Sequence, residues 1–348
     1  MPGIGRLRFI DGLRGCTALY IVLHHIYLQR PEPGWEILGK GHFAVVVFIV
    51  ISGFILALNA INRGDAQEPY AAFLRKRAAR ILPSYYGGLL FSIIMILLFV
   101  GTDRATHWAK SLPLSTGAIL SSLVFLQTSI GGFSSKINHA YWFMPALIAS
   151  YALFPALFAL LRKRGPAVFL ATSMLLACAL FAFSTLMLQS YVNFQFIAFF
   201  CFGMWGAALV TSEKYAKMLS YRYAYAAVFG LVAYYALSIA LGLTSKINML
   251  PSEMLTAFAS TMMIAAFMRG GGPVKRILEW KGFVALGAIS YSLYLTHAPM
   301  IEVVDKYLLA PFGSGPFSPL QYLLVVATPV CIATGAVFYA LVERRKWF

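Results

Sequence analysis

Residues 9–27 read Phe9-Ile-Asp11-Gly-Leu-Arg14-Gly-Cys-Thr-Ala-Leu-Tyr-Ile-Val-Leu-His24-His25-Ile-Tyr27. A bilayer crossing takes about 20 mostly apolar residues, and this stretch has that length. It also carries a carboxylate, a guanidinium and two imidazoles. Ionisable groups are expensive inside a membrane, which makes each a candidate functional group. Arg14 and His25 are eleven residues apart, close to three helical turns, so they share a face about 16 Å apart. Asp11 lies three residues before Arg14, within pairing distance on that face. His24 is turned about 100° away from His25. The stripe implies a cation low in the helix and an imidazole three turns higher, looking into one shared passage. The packing alternative is a buried Asp–Arg pair that orients the helix, with two histidines near the lipid interface.

The rest of the chain fits a membrane setting. Of 348 residues, 60% are hydrophobic and only 11% charged, against about 25% charged in soluble domains. That excludes an ordinary soluble globule, a disordered tail and a coiled coil. Runs at 9–30, 42–61, 83–101, 141–161, 166–187, 194–211, 222–243, 250–268, 282–303 and 319–341 are long and apolar enough to span. The expected fold is all-α and polytopic, about ten transmembrane helices in one integral-membrane domain over residues 1–348. The shorter run 116–130, with Gly117, Ser121, Ser122 and Gln127, is expected to be re-entrant or interfacial. No linker, low-complexity tract, internal repeat or appended soluble domain interrupts the pattern.

The formal net charge is +16, which invites a nucleic-acid reading until the charges are located. With the N-terminus in the cytoplasm, threading ten spans puts 21 of the 28 Lys and Arg residues inside, as the positive-inside rule requires. If 116–130 also crossed, Arg162, Lys163 and Arg164 would be exported and the bias would collapse. The charge therefore reads as topology: N- and C-termini cytoplasmic, lipid bilayer as partner, no nucleic acid. Cys16, Cys178, Cys201 and Cys331 lie in apolar segments without paired spacing, as small buried hydrophobes and not as disulfides or a metal site. No cleavable signal peptide is expected after the Met-Pro-Gly start. No zinc-protease, phosphate-loop or dinucleotide fingerprint is present.

Histidine suits proton transfer near neutral pH, and arginine suits phosphate or carboxylate binding. At this point the chain resembles a family. Arg14-x10-His25 inside Phe-x-x-x-Asp-Gly-Leu-Arg-Gly-x-x-Ala is similar to the opening of the membrane-bound acyltransferase-3 family, whose members acylate cell-surface carbohydrates. In the second run, Ile51-Ser52-Gly53-Phe54 matches a family core, with departures at Ala44 and at Val46, where an acid is common. A Ser-Gly pair lets helices approach closely and offers one hydroxyl. Arg77-x-x-Arg80-Ile-x-Pro83 resembles a second family motif. These arginines are expected one turn apart on a helix that stops before Pro83, where they can clamp phosphates; positive-inside anchoring is the alternative. Trp142, Tyr151 and Pro155 fall in register with a third motif, but its acid is Leu147 here. Ser290-Tyr291-Ser-Leu-Tyr294-Leu-Thr-His297 resembles the closing signature, with Tyr291, Tyr294 and His297 along one broad face; a structural histidine is the alternative there.

The resemblance implies transfer of an acyl group, acetyl in the first instance, from cytoplasmic acyl-CoA to a hydroxyl of a cell-surface or exported glycan or glycolipid. The bacterial inner membrane is the implied location. His25 would be general base or acyl-carrying nucleophile, with Arg14 beside it in catalysis. Arg14, Arg77 and Arg80 would hold CoA. Asp11, His24, Ser52, Trp142, Tyr291, Tyr294 and His297 would line the substrate path. No metal is implied; glycan-assembly proteins are implied partners. Two other classes fit the composition. A multi-pass transporter could use Asp11, Arg14, His25 and His297 as a substrate or proton path, though repeated halves with broken helices are not seen. A scaffold for glycan assembly would not need the Arg-x10-His stripe.

Overall fold

The computed structural model describes residues 6–64, 68–100, 112, 114–129, 133, 136–186, 194–216, 219–240, 249–309 and 316–345. Of the cations in the charge reading, Arg104, Lys110, Lys217, Lys246 and Lys346 lie outside the described residues. So does residue 130 of the 116–130 run.

Among the described residues there is no strand, and the fold is all-α. The helices are α1 (Arg8–Gln29), α2 (His42–Asn62), α3 (Tyr70–Met95), α4 (Thr116–Leu123), α5 (Met144–Leu186), α6 (Phe196–Thr211) and α7 (Glu213–Ala216). They continue with α8 (Tyr221–Ala240), α9 (Met249–Arg269), α10 (Pro273–Leu278), α11 (Lys281–Ala288), α12 (Ser290–Val303) and α13 (Pro319–Phe338). Short 3-10 turns precede α2 (Glu36–Lys40) and α5 (His139–Phe143). Single π turns extend α3 (Ile96–Val100), α12 (Val304–Leu309) and α13 (Tyr339–Glu343).

Among the described residues, five stretches are by length and composition apolar enough to cross a membrane: His42–Asn62, Tyr70–Phe99, His139–Leu186, Leu250–Arg269 and Pro319–Glu343. A sixth is added if Lys281–Ala288 and Ser290–Leu309, bent by 77°, count as one broken span. The expected runs missing from this count fall on α1, α5, α6 and α8; the last, 222–243, continues past residue 240 outside the described residues. Two expected spans share α5, a 43-residue helix broken where Gly165 adopts φ 76° and ψ 169°, backbone that glycine tolerates without strain. Helix α1 is 22 residues long but carries Asp11, Arg14, His24 and His25. Helix α6 has only 16 residues.

Helix α3 does not stop before Pro83; the proline lies inside it, so the Arg75–Arg80 stretch and the following apolar turns form one rod. A buried helix survives the lost donor when neighbours pack around it. Helix α4 has eight residues, about 12 Å of rise, too short for a 30 Å crossing. Ser115 caps it by accepting from Ala118 N. Its C-terminal carbonyls take hydroxyl hydrogens from Tyr85 (to Ser122 O, 2.8 Å) and Tyr86 (to Leu123 O, 3.0 Å) on α3. The Ser121 and Ser122 hydroxyls turn back to Ala118 O within α4, and Gln127 donates to Tyr141 O.

Helix α1 sits at the centre, against α2, α10, α11, α12 and α13. A Cβ at Gly12 or Gly15 would collide with main-chain atoms of Leu278 and Phe283, so the glycines flanking Arg14 bring α1 onto α10 and α11. A Cβ at Gly53 would strike the Phe200 carbonyl, and one at Gly203 the Val50 carbonyl. The Ser52-Gly53 pair therefore makes a close α2–α6 crossing through its glycine, which leaves Ser52 for the interior.

Candidate active site

Beside the N-terminal half of α1 lies a cavity of about 330 Å³. Its polar lining comes from distant parts of the sequence: Asp11 and Arg14 on α1, Ser52 on α2, Arg77 and Arg80 on α3, and Glu343 at the end of α13. Tyr151, Tyr291, Tyr294, Asn59 and Ser290 add to the polar wall, with aliphatic and aromatic residues between. The α3 phasing puts Arg77 and Arg80 one turn apart, as expected. Arg77 lies with its guanidinium 5.6 Å from the Phe73 ring centroid, and its buried Nε has no hydrogen-bond partner. Tyr291 ties α12 to this stretch by donating to Ile81 O at 3.2 Å.

Asp11 does not pair with Arg14. Its Oδ2 accepts from Arg6 Nε at 2.6 Å, because the residue just outside the helix reaches back over the first turn. The ion pair raises the already high pKa of the exposed Arg6. Arg14 is thereby left facing the cavity. Glu343 is engaged from the other side, accepting from Ser292 N at 3.1 Å and from Ser292 Oγ at 2.5 Å. With Asp11 neutralised by Arg6, three guanidiniums face one carboxylate across a largely apolar-walled space. Such a space attracts an anion with several oxygens, since forked donors match phosphate or carboxylate geometry.

Three turns up, at the C-terminal end of α1, the site is different. His25 Nδ1 and His139 Nε2 are 3.3 Å apart. The His25 ring lies 4.9 Å from the rings of both His139 and His297, and 5.1 Å from His24. Buried His297 donates from Nδ1 to Tyr294 O at 2.8 Å, which leaves Nε2 as a lone pair; that atom is buried without a partner. His139 is placed by its neighbour. Asn138 caps the 3-10 turn with Oδ1 on Ala140 N and sends Nδ2 to Ser92 Oγ, both at 3.0 Å. His25, His139, Gln29 and Glu302 line a pocket of only about 10 Å³.

Arg14 and His25 therefore do not open into one common void. The Tyr294 side chain lines the large cavity and its ring lies 6.0 Å from that of His297. Its hydroxyl is hydrogen-bonded to Ala140 O. One layer of side chains thus separates the two compartments, and α1 supplies a residue to each.

The other expected residues divide. Ser52, Tyr291 and Tyr294 line the cavity, Ser52 with its hydroxyl turned back to Phe48 O at 3.0 Å. His297 joins His25. His24 takes a structural place: Nδ1 lies 2.8 Å from Leu38 O and 3.2 Å from Gly41 N, clamping the turn before α2. Trp142 stacks on His42. His139, Glu343, Gln29 and Glu302 were not singled out from the sequence. The first two had a usable signal: a histidine just before Trp142, and an acid ending the last apolar run. No group of three or more residues suited to hold a metal ion occurs among the described residues.

Residues 7–339 match the family described as “Acyltransferase domain”. The “Putative membrane-bound transacylase BcsY” of Komagataeibacter xylinus is 27% identical, over 97% of this chain and 82% of that protein. The “Acyltransferase MdmB” of Streptomyces mycarofaciens is 29% identical over 47% of this chain and 42% of its own length. The “O-acetyl transferase” of Shigella phage Sf6 is 25% identical over 39% of this chain and 40% of its own length. No solved structure matches. The chain belongs to the acyltransferase family whose domain spans residues 7–339, and it is a membrane acyltransferase.

Proposed function

We propose that this acyltransferase moves an acyl group, acetyl in the first instance, from cytoplasmic acyl-CoA to a hydroxyl of a surface or exported glycan or glycolipid. The chain would cross the bacterial inner membrane about ten times with both termini in the cytoplasm. The observation that carries the donor reading is the convergence of Arg14, Arg77 and Arg80 on one cavity while Asp11 is paired elsewhere. The phosphates of CoA supply the anion for that site, and the apolar walls suit a pantetheine arm directed at Tyr294.

The chemistry falls to His25. The acceptor hydroxyl enters from the outer side and gives its proton to the neutral imidazole as its oxygen attacks the thioester carbonyl. The C–S bond breaks, the imidazolium returns the proton to the thiolate, and ester and CoA thiol leave. In the variant path, the imidazole attacks the thioester carbonyl and the C–S bond breaks to give acyl-imidazole and CoA thiolate; the hydroxyl oxygen then takes the acyl group, its proton passes to the thiolate, and the imidazole is released. Contact with His139 holds the His25 ring in either case. Both paths require the Tyr294 layer to open, since it stands between the donor cavity and the imidazole.

The test is purified protein with [14C]acetyl-CoA, together with mass spectrometry of surface glycans from cells with and without the gene. His25→Ala should insert normally and bind acetyl-CoA, yet leave glycans unacylated. Normal acylation by that variant would remove His25 from the chemistry.

A further inference from the structure

A second imidazole–carboxylate pair stands apart from the groups used above. His42 opens α2 and Glu253 lies in the second turn of α9, and His42 Nε2 is hydrogen-bonded to Glu253 Oε1. Glu253 is fully buried, and its other oxygen accepts from Gln195 Nε2 at 3.3 Å. The carboxylate is thus held at both oxygens. The His42 side chain keeps 25% of its surface exposed. Trp142 lies flat on the ring, with centroids 5.0 Å apart and planes 11° apart. Phe43 and Phe196 meet it edge to face.

This arrangement fixes the state of the ring. A carboxylate on Nε2 keeps the proton there, so in the neutral imidazole Nδ1 is an acceptor. No hydrogen bond to Nδ1 occurs among the described residues. A staple between α2 and α9 would use Nε2 alone. Here the plane of the ring is set by Trp142 as well, and one nitrogen is left to receive a donor.

We infer that His42 is an acceptor-binding residue: Nδ1 takes the hydrogen of a hydroxyl on the acceptor, with Glu253 and Trp142 as positioning residues. The inference rests on the acyl-transfer reading above and deepens it. Its chemical consequence follows from the turn His139–Phe143. That one turn presents His139 to His25 and, three residues on, Trp142 to His42, a rise of about 6 Å. From the α1 side, Gly41 N lies 3.2 Å from His24 Nδ1, so His42 and the His24–His25 pair adjoin through a single residue. An acceptor with two hydroxyls about one sugar ring apart can give one to His42 and the other to His25. The ligand class is a polyol or saccharide, and a simple alcohol would use half the site.

Two substitutions separate binding from stapling. His42→Gln keeps an amide where Nε2 meets Glu253 but removes the nitrogen at the Nδ1 position. His42→Asn places an amide near Nδ1 and withdraws from Glu253. The readouts are acetate released by mild alkali from surface glycans of intact cells, and binding and hydrolysis of [14C]acetyl-CoA by the purified full chain in nanodiscs. His42→Gln is expected to lose about tenfold or more of glycan acylation, the worth of one well-made hydrogen bond, with acetyl-CoA binding and hydrolysis within about twofold of the unsubstituted chain. His42→Asn is expected to retain more transfer than His42→Gln. Full acylation by His42→Gln with an inactive His42→Asn would reduce the pair to a staple and overturn the inference. So would parallel loss of acetyl-CoA binding and transfer in His42→Gln. An unsubstituted chain that neither binds nor hydrolyses acetyl-CoA would instead overturn the donor reading, and this inference with it.

Discussion

The two ends of α1 solve opposite problems. Its N-terminal half borders about 330 Å³ of space into which Arg14, Arg77 and Arg80 face, with the nearest carboxylate of α1 already committed to Arg6. Its C-terminal half is packed: His25 touches three other imidazoles, and the adjoining pocket holds about 10 Å³. The lower site has the buried Arg77 Nε without a partner and open space beside it, so in the proposed reading its specificity would lie in charge and shape. The upper site gives up volume to fix the orientation of rings, which is what a proton-transfer group needs. Between them stands the Tyr294 hydroxyl on Ala140 O, a polar tie that the proposed reaction would have to break.

That contrast predicts different failures at the two ends. The largest is at the upper end: His25→Ala should cut glycan acylation by about 10²-fold or more, the usual worth of a general base, checked by alkali-released acetate. At the lower end, Arg77→Ala or Arg14→Ala should weaken acetyl-CoA binding by about 10–100-fold, since hydrogen bonds to charged groups contribute about 1.5–3 kcal/mol. Arg77→Lys should recover only part of this, because an ammonium lacks the fork, as equilibrium binding would show. In the layer between, Tyr294→Phe removes one hydrogen bond of about 1 kcal/mol; acetyl-CoA hydrolysis by water should rise about fivefold. The smallest effect is expected from Ser52→Ala, within about twofold in transfer, because its hydroxyl is spent on Phe48 O. Gly53→Ala at the next residue should unfold the α2–α6 crossing and abolish expression of folded protein, visible by size-exclusion profile.

The same contrast explains what could be read from the sequence. The lower site was legible because its groups lie in helical registers: Asp11 and Arg14 on one turn, Arg77 and Arg80 on another, with chain order and charge bias placing both at the same end. What register does not give is partner choice. Asp11 sits three residues from Arg14 yet binds Arg6, since an exposed arginine just before the helix can reach back over the first turn while Arg14 faces the cavity. The continuation of α3 through Pro83 was hidden because a proline inside a packed membrane helix costs less than the local rule assumes. At the upper end, only His25 and His297 were legible. His139 and His42 owe their roles to a 3-10 turn fixed by Asn138 and to a carboxylate more than 200 residues away, and neither leaves a periodic trace. Some of the ten expected spans do not stand out as single long apolar helices for a related reason: Gly165 breaks one long helix without ending it, and Asp11, Arg14, His24 and His25 lower the apolarity of α1.

The central claim is that the guanidiniums at one end of α1 and the imidazole at the other serve one reaction, the first binding the donor and the second acting on it. The direct measurement is a [14C]acetyl-CoA binding isotherm on the purified chain, set beside glycan acylation, for His25→Ala and for Arg77→Ala/Arg80→Ala. The account predicts that His25→Ala binds acetyl-CoA as the unsubstituted chain does but transfers nothing, while the double arginine variant loses binding and transfer together. Undiminished binding in the arginine variant, or transfer surviving in His25→Ala, would contradict it.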